Sequence, residues 1–368
     1  MATSRLHAVA GLGQSIWIDF LSRELVQSDG LERMVEAHAV TGVTSNPTIF
    51  QKALAESSLY DTQLAGAAAQ GASDEEIFIA LGSTDVADAC DVLRPVYERT
   101  AGEDGYVSFE VDPMLAYDVE ATVSEAERLH ADIDRPNLYV KIPATKPGLA
   151  AIEEMIAKGR SINVTLIFSL QRYREVVESY LRGLERLVAA GGNPERVSSV
   201  ASFFVSRVDT EADRRLDALG GHDELNGTLA IANAKLAYQH YVETFAGERW
   251  EFLVSKGARP QRCLWASTST KNPAYRDVRY VEELIGPATV NTMPAETIEA
   301  FQDHGRAAAT LTQGVDEAQR TVERFAKAGV DYDSVTDVLE GEGVEKFAAS
   351  FHELLAGIAE KRASILVA

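Results

Sequence analysis

Eight short apolar segments recur along this chain of 368 residues, and stretches of helical period separate each from the next. No other feature restricts its fold as severely. A continuous apolar run of this length reads as a strand buried on both faces, and such strands belong to parallel sheets covered by helices. The runs are Ile16-Trp17-Ile18-Asp19-Phe20, residues 42–47, 106–111, 138–142, 162–167, 197–204, 262–267 and 288–291. Between them, Leu31, Met34, Val35 and His38 fall on one helical face, with Thr41-Gly42 as the stop. Residues 48–100 are helical in period throughout, and Val119, Val123, Ala126 and Leu129 mark the next helix. A helix over 150–158 is stopped by Gly159. The stripe Tyr173, Val176, Val177, Tyr180, Leu181, Leu184, Leu187 and Val188 is closed by Gly191, Gly192 and Pro194. Residues 209–256 form a long helical excursion, and 295–362 are helical and charged. Eight such units in one chain predict an α/β fold, the (β/α)8 TIM barrel. Additional helices are expected after strand two, between strands six and seven and at the C-terminus. No linker or composition break divides residues 1–368, so a single catalytic domain is expected. A doubly wound open sheet is the alternative, which periodicity does not exclude.

In a barrel the reactive groups gather at the carboxyl ends of the strands. The fourth run, Asn137-Leu138-Tyr139-Val140-Lys141-Ile142-Pro143-Ala144-Thr145, carries a lysine among apolar residues. Desolvation penalises its ammonium form and favours the free amine, which is the condition for Schiff-base chemistry with a carbonyl substrate. The competing reading is a strand-end lysine that snorkels to water. Around it the other exits place Asp19, Asn46, Glu110, Asn163 with Thr165, Ser202 with Arg207, and Ser267 with Lys271. Asn163 and Thr165, two apart, share a face. Taken singly, Asn46 before Pro47 is also a turn residue, Thr165 a good strand former, and Arg207 near Asp209 a surface ion pair. Asp19 and Glu110 are harder to dismiss, because carboxylates inside apolar runs must be paired or functional. A salt bridge to Lys141 is their structural alternative.

Composition then narrows the class. A net charge of −21 argues against nucleic acid or an acidic membrane as partner, but leaves room for a phosphorylated ligand in a locally basic pocket. Cys90 and Cys263 stand far apart in apolar surroundings and read as reduced thiols of a cytoplasmic protein. Residues 1–13 lack a signal-peptide pattern, and no apolar run is long enough to span a bilayer. The seven histidines form no metal-ligand pair at helical spacing. Gly11-Leu12-Gly13 precedes a strand, so it is not a dinucleotide fingerprint, and no Walker A sequence is present.

Five fragments in order resemble the transaldolase family: Trp17-Ile18-Asp19, residues 42–47, residues 140–145, residues 162–168 and Ser202-Phe203-Phe204-Val205-Ser206-Arg207. The run Glu342-Gly343-Val344-Glu345-Lys346-Phe347 is also similar to that family, so the likeness extends from about Ile16 to Phe351. The resemblance implies a class I aldolase-type barrel with its Schiff-base lysine on strand four. By that likeness Lys141 is the nucleophile and Asp19 the acid and base at the C4 hydroxyl. Glu110 and Thr165 hold a proton-shuttling water. Asn46 and Asn163 grip hydroxyls of a dihydroxyacetone fragment, and Arg207 with Ser202 binds phosphate. Ser267 and Lys271 take the place of a second phosphate group. There the turn is longer than in many relatives, and a lysine stands where they carry an arginine. The implied reaction moves a dihydroxyacetone unit from sedoheptulose 7-phosphate to glyceraldehyde 3-phosphate, giving erythrose 4-phosphate and fructose 6-phosphate. No cofactor is required, since the iminium is the electron sink. Small sugar phosphates are the expected partners of a monomer or homodimer. Two other readings stay open: a fructose 6-phosphate aldolase, whose members commonly carry tyrosine where this chain has Phe204, and a non-catalytic sugar-phosphate sensor.

Overall fold

The computed structural model describes residues 4–367. Its eight strands are β1 (Gln14–Asp19), β2 (Val40–Thr44), β3 (Val107–Glu110), β4 (Leu138–Pro143), β5 (Ile162–Ile167), β6 (Ser199–Phe204), β7 (Arg262–Ala266) and β8 (Thr289–Met293). All neighbours are parallel, and β1 pairs with β8, so the barrel is closed in sequence order. Closure satisfies every strand edge, which an open doubly wound sheet leaves at its ends. Register sets the chemistry: Glu110 lies opposite Lys141 across β3–β4, and Lys141 opposite Asn163 across β4–β5.

The helices are α1 (Arg5–Gly11), α2 (Arg23–Gln27), α3 (Gly30–His38), α4 (Pro47–Glu56), α5 (Asp61–Ala69), α6 (Asp74–Arg99), α7 (Val119–Ile133), α8 (Lys146–Ala157), α9 (Leu170–Ala189), α10 (Ser206–Leu219), α11 (Leu229–Thr244), α12 (Glu248–Ser255), α13 (Arg279–Glu283), α14 (Ala295–His304), α15 (Val315–Ala328) and α16 (Tyr332–Val367). Side-chain caps explain several boundaries that periodicity placed differently. Thr145 accepts from the Gly148 amide, so α8 starts four residues before the expected Ala150. The expected helix over 48–100 divides into α4, a 3-10 turn (Ser58–Tyr60), α5 and α6, whose start carries a Ser73–Glu76 capping box. Strand six begins at Ser199 because Pro194–Arg196 turns as a 3-10 helix. The N-terminal helix α1 was not foreseen.

One expectation is corrected outright. Thr41-Gly42 does not stop α3. That helix ends at His38, capped by Ala39 with φ +55°, and Thr41 and Gly42 are inside β2. The glycine is there because the Trp17 indole lies against it, where a Cβ would collide with the ring. Trp17 in turn donates to Asp104 Oδ1 at 2.8 Å and packs on Tyr139, whose ring stacks on Tyr106 at 4.1 Å. This aromatic column fills the barrel below the site, so Gly42 serves packing.

The last helix positions the site from outside the barrel. It packs on α4, α5, α6 and α10. Gly343 lets it approach Leu166 and Phe168 at the end of β5, where an added Cβ would be 3.1 Å from the leucine. Thr48 Oγ1 donates to Ser350 Oγ at 2.9 Å, and Lys361 pairs with Asp61 at 2.8 Å. The long helix therefore lies across the mouth from the β5 side to α4.

The column makes Gly42→Ala an overpacking change. It is expected to lower stability by about 1–3 kcal/mol, read as the denaturant midpoint at unchanged slope. A midpoint equal to that of the native chain would show that Trp17 has room to give.

Candidate active site

Lys141 is 6% exposed and does not snorkel. Its Nζ donates to the Ser45 carbonyl at 3.0 Å, stands 3.6 Å from Glu110 Oε2, and lies 5.8 Å from the centre of the Phe347 ring. The strand holds it rigidly, since Val140 and Ile142 on either side are wholly buried. The amine sits on the wall of a cavity of about 610 Å³ at the carboxyl ends of the strands. Asp19, Asn46, Thr165, Ser202, Arg207, Ser267 and Lys271 line the same cavity. Seven of the nine residues expected around the lysine thus share one space with it.

The other two lie off that lining. Glu110 is beside Lys141, at the rim of a small neighbouring pocket walled by Phe50, Phe78, Phe109 and Phe351. Asn163 is fully buried: its amide nitrogen donates to Ser108 Oγ at 3.0 Å and its oxygen accepts from Ser202 Oγ at 2.7 Å. Its polar atoms already have partners below the cavity, and through Ser202 it braces a group that does face in. Asn46 combines its two readings. Its oxygen caps α4 by accepting from the Ile49 amide at 3.1 Å, with Pro47 as the first helical residue, and its side chain also lines the mouth. With the oxygen so committed, what it offers a ligand is its N–H.

Electrostatics separates the carboxylates. Burial pushes the Glu110 carboxyl up to about 7, against the pull of the Lys141 charge. Asp19 is raised chiefly by burial; Lys141 and a hydrogen bond from Thr44 Oγ1 at 2.7 Å act the other way, and Glu296 adds to the rise. Glu110 Oε2 and Thr165 Oγ1 are both buried with no hydrogen-bond partner among the described residues. Buried polar groups of this kind are satisfied by water or substrate. Arg207 forms no ion pair among the described residues; desolvation lowers it, while Glu342 and Asp19 act on it only at longer range. The expected Arg207–Asp209 pair is absent, because Asp209 is buried and accepts instead from the Ala230 amide at 2.7 Å and Tyr280 at 2.8 Å.

Backbone strain collects here as well. Leu166, next to Thr165, has φ +59°, at the point where the β5–β6 register shifts. Ser267, which ends the run after β7, has φ +56°. Both leave the strand geometry just where side chains must be re-aimed into the mouth. Ser267 Oγ is paired with Ser206 Oγ at 2.9 Å, and Lys271 Nζ donates to Ser269 Oγ at 2.8 Å.

Several lining residues escaped the sequence reading: Thr44, Lys52, Thr292, Glu296, Lys346 and Phe347. Thr44 was within reach, being two residues before Asn46 at the end of β2. It links Thr292, at 2.6 Å, to Asp19, so β8, β2 and β1 fix that carboxylate together. Lys52 and Lys346 come from helices laid over the mouth, and strand-end logic does not reach them. The cavity carries five cations (Lys52, Lys141, Arg207, Lys271, Lys346) against two carboxylates (Asp19, Glu296). On a chain of net charge −21 that local reversal marks an anion site. Among the described residues no group of three or more His, Cys, Asp or Glu side chains is placed to share a metal ion.

A buried carboxyl that titrates near 7 leaves a signature. Between about pH 4.5 and 7 the unfolded chain has released the Glu110 proton while the folded chain still holds it. The folded state then binds more protons, so stability falls as pH rises through that window and levels off above it. Denaturant midpoints of the native chain and of Glu110→Gln, taken from pH 5 to 8, should differ in slope by about 2–3 kcal/mol in total. Asp209, also pushed up to about 7, contributes equally to both chains and cancels. Parallel slopes would mean that Glu110 ionises normally.

With this geometry in hand, comparison with known proteins is specific. A family model described as Transaldolase/Fructose-6-phosphate aldolase matches residues 16–358. The transaldolase of Acidothermus cellulolyticus is 51% identical over 358 residues, covering 97% of this chain and 96% of that protein. The transaldolase of Saccharopolyspora erythraea is 51% identical over 359 residues, covering 97% and 98%. That of Mycobacterium bovis is 50% identical over 354 residues, covering 95% of each.

Proposed function

The chain belongs to the transaldolase/fructose-6-phosphate aldolase family, and on that premise we propose how its barrel mouth performs the transfer of a dihydroxyacetone unit between sugar phosphates. The activity itself is that of a transferase acting through a ketone-containing group. The residue roles are our reading, and the observation that carries them is the buried amine of Lys141 on the wall of a cavity it shares with Asp19 and a cluster of cations.

Lys141 Nζ adds to the C2 carbonyl of the donor ketose. Loss of water from the carbinolamine gives an iminium, with the proton passed through a water held by Glu110 and Thr165. The unpartnered Oε2 and Oγ1 support that role, and a carboxyl pushed to about 7 both gives and takes a proton near neutrality. Asp19 then takes the proton of the C4 hydroxyl. The C3–C4 bond breaks, the aldehyde leaves, and the electron pair rests in the enamine. An acceptor aldehyde reverses these steps: C3 attacks it, Asp19 returns the proton to the new alkoxide, and hydrolysis restores the amine. The hydrogen bond from Thr44 orients Asp19 for both transfers. Asn46 reads a hydroxyl of the bound unit through its N–H. Asn163 contributes through Ser202, to which it is bonded. Arg207, with Lys271 and Ser269 across the turn, receives the phosphate. Phe347 covers the amine from above and limits water around it.

The family also contains fructose 6-phosphate aldolases. Phe204 lines the mouth at the position where those enzymes commonly carry tyrosine, which favours transfer. Two buried free thiols, Cys90 and Cys263, support a reducing cytoplasmic setting. No helix among the described residues is long and apolar enough to cross a membrane.

Borohydride added with fructose 6-phosphate should leave a three-carbon adduct on Lys141, located by peptide mass mapping. Lys141→Ala should lose about 10⁴-fold or more in kcat, and Asp19→Asn about 10²–10⁴-fold, both with the fold intact by circular dichroism. Without an acceptor, one equivalent of glyceraldehyde 3-phosphate should be released per active site and turnover should then stall. Steady production of free dihydroxyacetone would instead establish the aldolase, and an adduct on another lysine would displace Lys141.

A further inference from the structure

The helical excursion after β6 has no part in the chemistry above, yet two of its carboxylates lead back to the mouth. Asp209 and Asp213 are one turn apart on α10, so they point to the same side of it. Each receives one backbone N–H and one phenol hydroxyl. Asp209 takes the Ala230 amide at 2.7 Å and Tyr280 at 2.8 Å. Asp213 takes the Gly227 amide at 2.8 Å and Tyr275 at 2.6 Å. The amides come from the excursion, the phenols from the segment after β7. Helix α10 thereby clamps both, and its second residue is Arg207.

The segment after β7 has little else to fix it where it matters. Residues 271–274 are exposed and Tyr275 is half-buried. On the near side Thr268 Oγ1 donates to Asn291 Oδ1 at 2.9 Å. On the far side Arg276 pairs with Glu282 and His304 with Asp277 at the surface, and the next wholly buried side chain is Val278, three residues beyond Tyr275. Ser269 and Lys271 lie between Thr268 and Tyr275 and line the cavity. A lysine is a point charge and cannot fork onto a phosphate as arginine does. Its attraction for an anion therefore depends on where its backbone is held, and ordering a free loop on binding would subtract from affinity.

We propose that Tyr275, through its hydrogen bond to Asp213, is a positioning residue for the phosphate of the substrate: it holds the turn that carries Ser269 and Lys271 on the Arg207 side of the mouth. Tyr275 does not touch the substrate. The excursion is then a buttress for this turn, since the same carboxylate that takes the phenol also takes the Gly227 amide. The inference rests on reading Arg207 and Lys271 as the phosphate group.

The test measures KM and kcat for Tyr275→Phe, Asp213→Ala, Lys271→Ala and the double variant Tyr275→Phe/Lys271→Ala. The donors are fructose 6-phosphate and unphosphorylated fructose, each with unphosphorylated erythrose as acceptor, so that the donor alone carries or lacks the phosphate. Tyr275→Phe should raise KM for fructose 6-phosphate about tenfold with kcat within about twofold. Its rate on fructose should be unchanged. Asp213→Ala should give the same pattern, and Tyr275→Phe should add less than about twofold on top of Lys271→Ala. Loss on both donors alike, an unchanged KM, or full additivity with Lys271→Ala would overturn the proposal in favour of a purely structural tyrosine. The borohydride adduct on Lys141 distinguishes this failure from failure of the functional reading. Should the adduct form while Lys271→Ala leaves KM untouched, the phosphate group alone has been misplaced, and Tyr275 has nothing to position.

Discussion

Everything at this site depends on keeping an amine out of water beside a carboxyl that shares its burial. Lys141 and Glu110 are each 6% exposed and 3.6 Å apart. Two full charges in such a place are expensive, and their attraction repays the desolvation only when the remaining lone pairs are also satisfied. Here they are not all satisfied: Glu110 Oε2 has no hydrogen-bond partner among the described residues, and its carboxyl is pushed to about 7. The Glu110 carboxyl is therefore one that takes and gives a proton near neutrality beside the Lys141 side chain, which a purely structural salt bridge would not need. The pairing of β3 with β4 sets it there, because these strands must stay in register for Glu110 to face Lys141.

How far this could be foreseen follows from what strand order does and does not encode. Eight apolar runs, seven of them with a polar residue named at the exit, are enough to place Asp19, Glu110, Lys141 and Thr165 on one ring. A parallel barrel sends every exit to the same end. What covers that end is a different matter. Lys52, Lys346 and Phe347 reach the cavity from α4 and α16, whose placement follows from tertiary packing such as the Gly343 approach to Leu166. Nor does a residue's type say whether its polar atoms are free: Asn163 has the right place in the sequence and the structure spends it on Ser108 and Ser202. The helix stop at Thr41-Gly42 was misread for a similar reason, although Gly42 itself was rightly placed in strand two. A glycine after a helical stripe ordinarily signals a stop, and only the Trp17 ring across β1–β2 reveals why it is inside a strand.

The charge distribution reconciles an acidic protein with an anionic substrate. Part of the acidic surface is engaged in arginine and lysine pairs along the outer helices, such as Arg249 with Glu178 and Glu185. The cations of the mouth come from five separate places: α4, β4, the β6 exit, the β7 exit and α16. Since they belong to elements far apart in sequence, the basic field exists only in the folded chain, and its strength at the phosphate depends on how firmly each carrier is held.

The position of α16 has one more consequence. The ring nearest the Lys141 amine from that side belongs to Phe347, and the helix bearing it is anchored through Lys361 to Asp61 and Arg362 to Asp74. The barrel strands all precede residue 294, and none of them makes those two pairs. The cover over the mouth is thus held by contacts separate from the ladder that holds the barrel, so a change that breaks them would uncover the lysine while leaving every strand pairing in place.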